Sequence, residues 1–190
     1  IRRPPRSTQG VSSAASDVYK RQDIGEAIRE IVKHPPEGAT ISAHTELLLM
    51  NASRTQLIQQ IILPALKKGN TVLCDRFYDS TLAYQGYGRQ LDLNKVHKAI
   101  ELAIENTKPN LTLLLDIPLE VSTKRVNERQ LKTNETNDQF DRSGELFFKR
   151  VLDGFKTLAK AEPERFQVIN ANQHPDDVSN EIWQVVKEKI

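Results

Sequence analysis

The chain has 190 residues, of which 38% are hydrophobic and 27% charged, with a formal net charge of +2 and a single cysteine. That is long enough for one domain with a sizeable core, and one cysteine allows neither a disulfide framework nor a cysteine-based zinc site, which suits a reducing cytoplasm. No apolar run approaches a membrane span, and the basic start lacks the apolar stretch of a signal peptide. Residues 1–22, IRRPPRSTQGVSSAASDVYKRQ, hold five basic residues against Asp17, so that segment carries +4 and the remainder −2. The body is therefore not a broadly cationic nucleic-acid binder, and any anion must be held by a few placed groups. The segment is rich in Arg, Pro and Ser and has no periodicity. It is expected to be a disordered or non-native leader ahead of a domain spanning 23–190.

From Asp23 the pattern becomes regular. DIGEAIREIVKH predicts an amphipathic helix with Ile24, Ala27, Ile28 and Ile31 on its apolar side. PPEGAT breaks it, and Ser42 is the expected N-cap of a long helix, AHTELLLMNASRTQLIQQIILPALKK, ending at Gly69. Apolar residues on more than one face predict that this helix is largely buried, and Pro64 marks a kink or fresh start. TVLC is expected to be a buried strand, DSTLAYQG a helix, and Gly86 and Gly88 part of a loop. LNKVHKAIELAIENT places Val96, Ile100, Ala103 and Ile104 at helical spacing. LTLLLD reads as a continuous apolar strand. Pro118 opens the helix PLEVSTKRVNERQ, and the polar run LKTNETNDQ is an expected mobile connection. The helix SGELFFKRVLDGFKTLAKA and the strand FQVIN come next. The chain closes on PDDVSNEIWQVVKEKI, with Val178, Ile182, Val185 and Val186 on one face. Unbroken apolar strands alternating with helices predict an α/β domain, a parallel sheet covered on both sides.

The chemistry concentrates in VLCDRFYDSTLAYQGYGRQ. In open parallel sheets ligands sit beyond the carboxyl ends of the strands, where Asp75 and Arg76 fall. A planar guanidinium can grip two oxygens of an oxyanion, and the neighbouring acid can meet a metal through water or fix the arginine. A surface ion pair is the plain alternative. Thr81, Tyr84 and Gln85 can share one helix face, with Ser80 beside them. A ring, an amide with donor and acceptor, and hydroxyls suit a nucleobase and sugar. Core packing of Tyr84 and a solvated Gln85 would suit the same spacing. GYG could let backbone approach a phosphate.

DRFYDSTLAYQGYGR resembles the Asp-Arg-Tyr/Phe segment of bacterial thymidylate kinases, including its AYQGxGR ending. ELLLMNASRTQLIQQIILPALKKGNTVLCDR resembles the preceding family helix and strand. DIGEAIREIV is similar to the family segment just after the EPGGT loop, and PNLTLLLDIPLEVSTKR to the segment leading to the lid. The resemblance covers residues 23–190. It implies a P-loop NTPase-type parallel sheet flanked by helices, and transfer of a phosphoryl group from ATP to dTMP with Mg²⁺. Arg76 would hold the dTMP phosphate, and Asp75 would lie near phosphates and metal, acting through water or by positioning Arg76. Arg54 would contact the thymine edge, Thr81 and Gln85 would complete base recognition with Ser80 as a helper, and Tyr84 would pack on the deoxyribose. Arg89 would order the loop or face the phosphates, a solvated charge fitting as well. Met50 stands where the family places a stacking phenylalanine, so a thioether meets thymine or simply fills core. A lid around 125–145 would supply Arg129 as the mobile catalytic arginine and Arg125 as its hinge-side support. The later family Asp-Arg is here Asp138-Gln139, with Arg142 beyond. A solvated basic helix is the alternative. Asn172 would lie on the adenine side of ATP. The resemblance also implies a cytoplasmic homodimer joined through the long helix, with no nucleic-acid or membrane partner.

No G-x-x-x-x-G-K-[ST] phosphate loop occurs in the sequence. In the family that loop, a helix, a strand and the EPGGT turn precede the segment matching Asp23. The expectation is a partial domain, poorly stable and unable to use ATP productively, because a strand belonging between TVLC and LTLLL is missing. A non-catalytic nucleotide-binding or interaction protein, or a related nucleoside or nucleotide kinase, is the alternative.

Overall fold

The computed structural model describes residues 23–133, 140 and 143–189. The expected leader 1–22 lies outside the described residues, as do Asp138, Gln139 and Arg142 of the expected lid.

Helix α1, Asp23–Lys33, packs on helix α2, Ala43–Leu57. Its buried side is not the expected stripe: Ile24 is 57% and Ile31 49% exposed, whereas Gly25 and Val32 are buried. Close approach decides this. Gly25 brings no side chain, and its carbonyl accepts a hydrogen bond from Ser53 Oγ of α2 at 3.0 Å. Residues 25, 28, 29 and 32 then turn toward α2 at helical spacing.

Ser42 caps α2 by accepting from the Thr45 N–H at 3.1 Å. Pro64 has no N–H to give to Gln60, and the helix accommodates it by widening. Ile58–Ile62 is π-helical, with the Leu63 N–H donating to the Ile58 carbonyl, before the chain resumes as α3, Leu63–Lys67. Gly69, at φ +74°, ends the run. The expectation of burial on several faces is corrected: Leu48 is 63% and Leu66 46% exposed. The buried side of α2 instead carries Glu46, Asn51, Ser53 and Arg54 among its apolar residues. Polar groups are tolerated there because they bond one another and the next helix.

A second correction concerns Thr71–Cys74, which form no strand. Among the described residues no backbone segment pairs with them, and Leu73 is exposed. An apolar run becomes a strand only where a neighbour takes up its N–H and C=O groups. A third concerns the glycines. Helix α4, Tyr78–Thr81, continues as a π-helical stretch, Leu82–Gly88, so Gly86 and Gly88 lie within the helical run rather than in a loop. Their role is packing. A Cβ on Gly86 would stand 2.7 Å from Leu93 Cδ2, and one on Gly88 2.6 Å from Phe147 Cε2. This replaces the reading in which GYG brings backbone to a phosphate.

Helix α5, Leu93–Ile104, capped by Asp92, buries Val96, Ile100, Ala103 and Ile104 as the spacing predicts. Strands β1, Thr112–Asp116, and β2, Phe166–Asn170, form a parallel two-stranded sheet in register from Thr112↔Phe166 to Asp116↔Asn170. Helix α6, Leu119–Thr133, and helix α7, Glu145–Ala161, run between them, and helix α8, Pro175–Lys189, returns against β2. This is the parallel crossover that defines an α/β fold. Cover of the sheet on both faces is incomplete, with Leu115 51% and Val168 54% exposed. The main core joins Ile58, Tyr78, Leu82, Ile100, Leu158 and Phe166, and a smaller aromatic cluster around Phe147 seats the π-helical stretch on α7.

Candidate active site

A cavity of about 1040 Å³ opens between α1, α2, α4 with its π-helical continuation, α6 and α7. Arg76, on its rim, holds a left-handed backbone at φ +65°. Such a conformation costs a non-glycine residue about 1–3 kcal/mol and persists where the surroundings enforce it. From there the Arg76 guanidinium lies over the Tyr84 ring, 4.5 Å from its centroid, and Nε donates to Ser80 Oγ at 3.3 Å. Tyr84 is wedged edge-to-face against Phe140, Phe147 and Phe155, with centroids 5.5, 5.9 and 6.4 Å away. The cation-bearing wall of the cavity is thus backed by a packed aromatic layer.

Arg54 enters from α2 and is buried. It donates to Asn51 Oδ1 at 2.6 Å and to Thr81 Oγ1 at 2.7 Å, tying α2 to α4. Gln85 lines the same cavity, and its Nε2 donates to Glu46 Oε1 at 2.7 Å. Glu46 is fully buried and also accepts from Arg89, at Oε1 from Nε at 3.2 Å and at Oε2 from Nη2 at 3.0 Å. Arg89 therefore turns away from the cavity. Its Nη1 donates to Ser143 Oγ at 3.1 Å, and its guanidinium lies 4.6 Å from the Phe147 ring centroid. Met50 is half-buried and lines the cavity.

Of the residues singled out in the sequence, Arg76, Arg54, Ser80, Thr81, Tyr84, Gln85 and Met50 meet at this cavity. Asp75 is exposed and does not line it. Arg125 donates from both Nη atoms to the Ala171 carbonyl at 3.3 Å, beside the exposed Asn172, whose N–H donates to Asn170 Oδ1 at 2.9 Å. The side chain of Arg129 lies outside the described residues.

Sequence reasoning passed over three groups. Arg29 and Lys33 bring further positive charge to the cavity from α1. Glu46 heads the apolar run LLLM, and no local signal in the sequence marks it. Asp79 and Arg165 form a buried pair that does not line the cavity, with Nη2–Oδ1 at 2.7 Å and Nη1–Oδ2 at 2.8 Å. Arg165 also donates to Thr112 Oγ1 at 2.7 Å and to both oxygens of Glu162 at 2.9 Å, and it lies 4.5 Å from the Phe166 ring centroid. Burial, then the charge of Asp79, pushes the Tyr78 hydroxyl up to about 12. The hydrogen bond from Arg165 lowers the Glu162 carboxyl below its ordinary range. Burial alone would lower the Arg165 value, but its bonds to Asp79 and Glu162 outweigh that and raise it. Burial pushes the Cys74 thiol up.

Fold and site together define an α/β protein whose cavity offers guanidinium, hydroxyl, aromatic and amide groups to one small polar ligand. The family model for thymidylate kinase matches residues 19–182. A thymidylate kinase from a Synechococcus species is 41% identical over 167 residues, covering 88% of this chain and 76% of the relative. The thymidylate kinase of Syntrophotalea carbinolica is 42% identical over 161 residues, covering 84% and 74%. That of Chlorobium phaeobacteroides is 39% identical over 184 residues, covering 95% and 83%. The chain belongs to the thymidylate kinase family.

Proposed function

We propose that the cavity is the acceptor site for dTMP, and that the reaction it serves is transfer of a phosphoryl group from ATP to give dTDP. The observation that carries this reading is the convergence of Arg76, Arg54, Thr81 and Gln85 on one cavity. Arg76 grips the monophosphate, held in aim by Ser80 and the Tyr84 ring. Arg54, Thr81 and Gln85 read the base edge, Met50 lies against its face, and the Tyr84 ring packs on the deoxyribose. In the transfer step an oxygen of the dTMP phosphate attacks the γ-phosphorus of ATP as the bond to ADP breaks. Catalysis of this kind is chiefly positioning and neutralisation of spread charge. Arg129 supplies positive charge from the lid, and Arg125, anchored on the Ala171 carbonyl, supports it from the hinge side. Asn172 serves the adenine side of ATP, and Arg89 holds Ser143 through its Nη1.

The residues present fit a hydrated Mg²⁺ that arrives on phosphates, because such an ion needs one nearby carboxylate rather than a protein cage. Asp75 is exposed beside Arg76 and offers that carboxylate through water. When bound, the ion neutralises phosphate charge. The exposed Leu48 and Leu66 support a homodimer formed through the long helix. No helix among the described residues is long and apolar enough to cross a membrane. The single cysteine suits a reducing cytoplasm, where we place the protein.

Equilibrium titration with dTMP, dUMP and dGMP tests the reading. dTMP is expected to bind most tightly. Absence of dTMP binding, or tighter binding of dGMP, would overturn it.

A further inference from the structure

We propose that Glu46 is a positioning residue for base selection. Its buried carboxylate fixes which end of the Gln85 amide faces the ligand, so that the site takes a pyrimidine bearing an N3–H and rejects one whose N3 is an acceptor. The inference rests on the dTMP reading above and goes further by assigning the source of its base preference.

An ionised carboxylate has acceptors only, whereas a primary amide has one acceptor oxygen and one donor nitrogen. At the 2.7 Å separation of Gln85 from Glu46 Oε1, the amide must present nitrogen, since two acceptors at that distance repel. The choice is therefore made by Glu46 and not by the ligand. Glu46 cannot easily turn to accommodate another arrangement. It is fully buried, and Arg89 fixes both of its oxygens through Nε and Nη2. Gln85 is itself 1% exposed, and its Oε1 takes no hydrogen bond among the described residues although the side chain lines the cavity. That oxygen is the acceptor left for the ligand.

Base chemistry then sets the consequence. Thymine and uracil carry N3–H, a donor that meets Oε1. Cytosine carries a bare N3 acceptor, which would oppose Oε1 and leave both without a partner in a buried site, the arrangement that polar sites reject most strongly. The Glu46–Gln85 pair thus converts a two-faced amide, able to suit either base, into a one-faced acceptor.

The test measures dissociation constants of dTMP and dCMP for the wild-type chain, for E46Q and for the double variant E46Q/Q85E, with circular dichroism and thermal unfolding to verify folding. Wild type is expected to prefer dTMP. In E46Q the amide at 85 is released to turn over, and the dTMP/dCMP preference is expected to narrow by about tenfold, the worth of one hydrogen bond to a charged group. In the double variant the carboxylate and the amide exchange places. The cavity again meets an acceptor oxygen, and the preference for dTMP is expected to return. The swapped pair keeps an amide donor against a carboxylate, so it remains informative if E46Q alone is too unstable to titrate. A merely structural Glu46 predicts equal weakening of both nucleotides and no return in the double variant, and either result overturns the proposal. Failure of the wild type to bind dTMP at all would instead overturn the functional reading and this inference with it.

Discussion

Two arginines are held beside residues of α4, Arg165 on Asp79 and Arg76 on Ser80, and they use the same guanidinium chemistry to different ends. In the cluster outside the cavity lining, Arg165 spends all three of its nitrogens on protein: Asp79 and Thr112 inside, Glu162 outside. Rings of Tyr78 and Phe166 close over it, and its side chain is 10% exposed. In the cavity cluster the guanidinium of Arg76 is held by one hydroxyl and one ring, with nitrogens left for something else. A saturated polar cluster ties elements together, whereas an unsaturated one, held in strained backbone, is built to meet a ligand. Counting what each polar group still has to offer separates structure from function here better than burial or charge does.

The largest way to break this comparison is to unmake the saturated pair. Arg165→Ala leaves Asp79 buried and uncompensated, and is expected to cost about 3–5 kcal/mol of stability by denaturant unfolding. Where the variant remains folded, its affinity for dTMP should be unchanged. A weakened affinity at unchanged stability would reverse the roles assigned to the two clusters. A smaller effect is expected from Gly88→Ala. Its new methyl would meet Phe147 Cε2 at 2.6 Å and Val151 Cγ2 at 2.8 Å. Overpacking of this kind costs about 1–3 kcal/mol, and because Phe147 backs Tyr84, dTMP affinity should fall along with stability. Loss of stability without loss of affinity would show that the aromatic layer does not support the cavity.

The smallest effect belongs to the exposed arm of the saturated cluster. Glu162 has a lowered folded-state value, so it contributes stability above its ordinary 4.5 and loses that contribution as pH falls through the lower folded value. With its side chain 46% exposed, the contribution is expected to stay below about 1 kcal/mol. Glu162→Gln should flatten the acid limb of the stability–pH curve by that amount and leave neutral stability slightly reduced. An unchanged acid limb would remove Glu162 from the cluster.

The sequence made the periodic elements legible: α5 buries the four residues its spacing names, and β1, β2 and the Ser42 cap fall where expected. Its misreadings share one physical cause, that burial is decided by neighbours. Ile24 and Ile31 look like a core stripe, but the glycine at 25 sets which side of α1 can come close to α2. TVLC has the composition of a strand without a strand to pair with among the described residues. The side chains at the cavity were legible because an arginine, a hydroxyl, a ring and an amide at helical spacing have few other uses together. Glu46 was not, since nothing local shows that its acceptors lie against Gln85 and Arg89, 39 and 43 residues away.

The claim at the centre is that Arg76 meets the phosphate of the acceptor. Calorimetric titration of wild type and Arg76→Ala with dTMP and with thymidine tests it directly. Wild type should prefer dTMP, and the alanine variant should lose about 2–3 kcal/mol on dTMP, little on thymidine, and so bind the two almost alike. A variant that still favours dTMP over thymidine as strongly as wild type does would contradict the account.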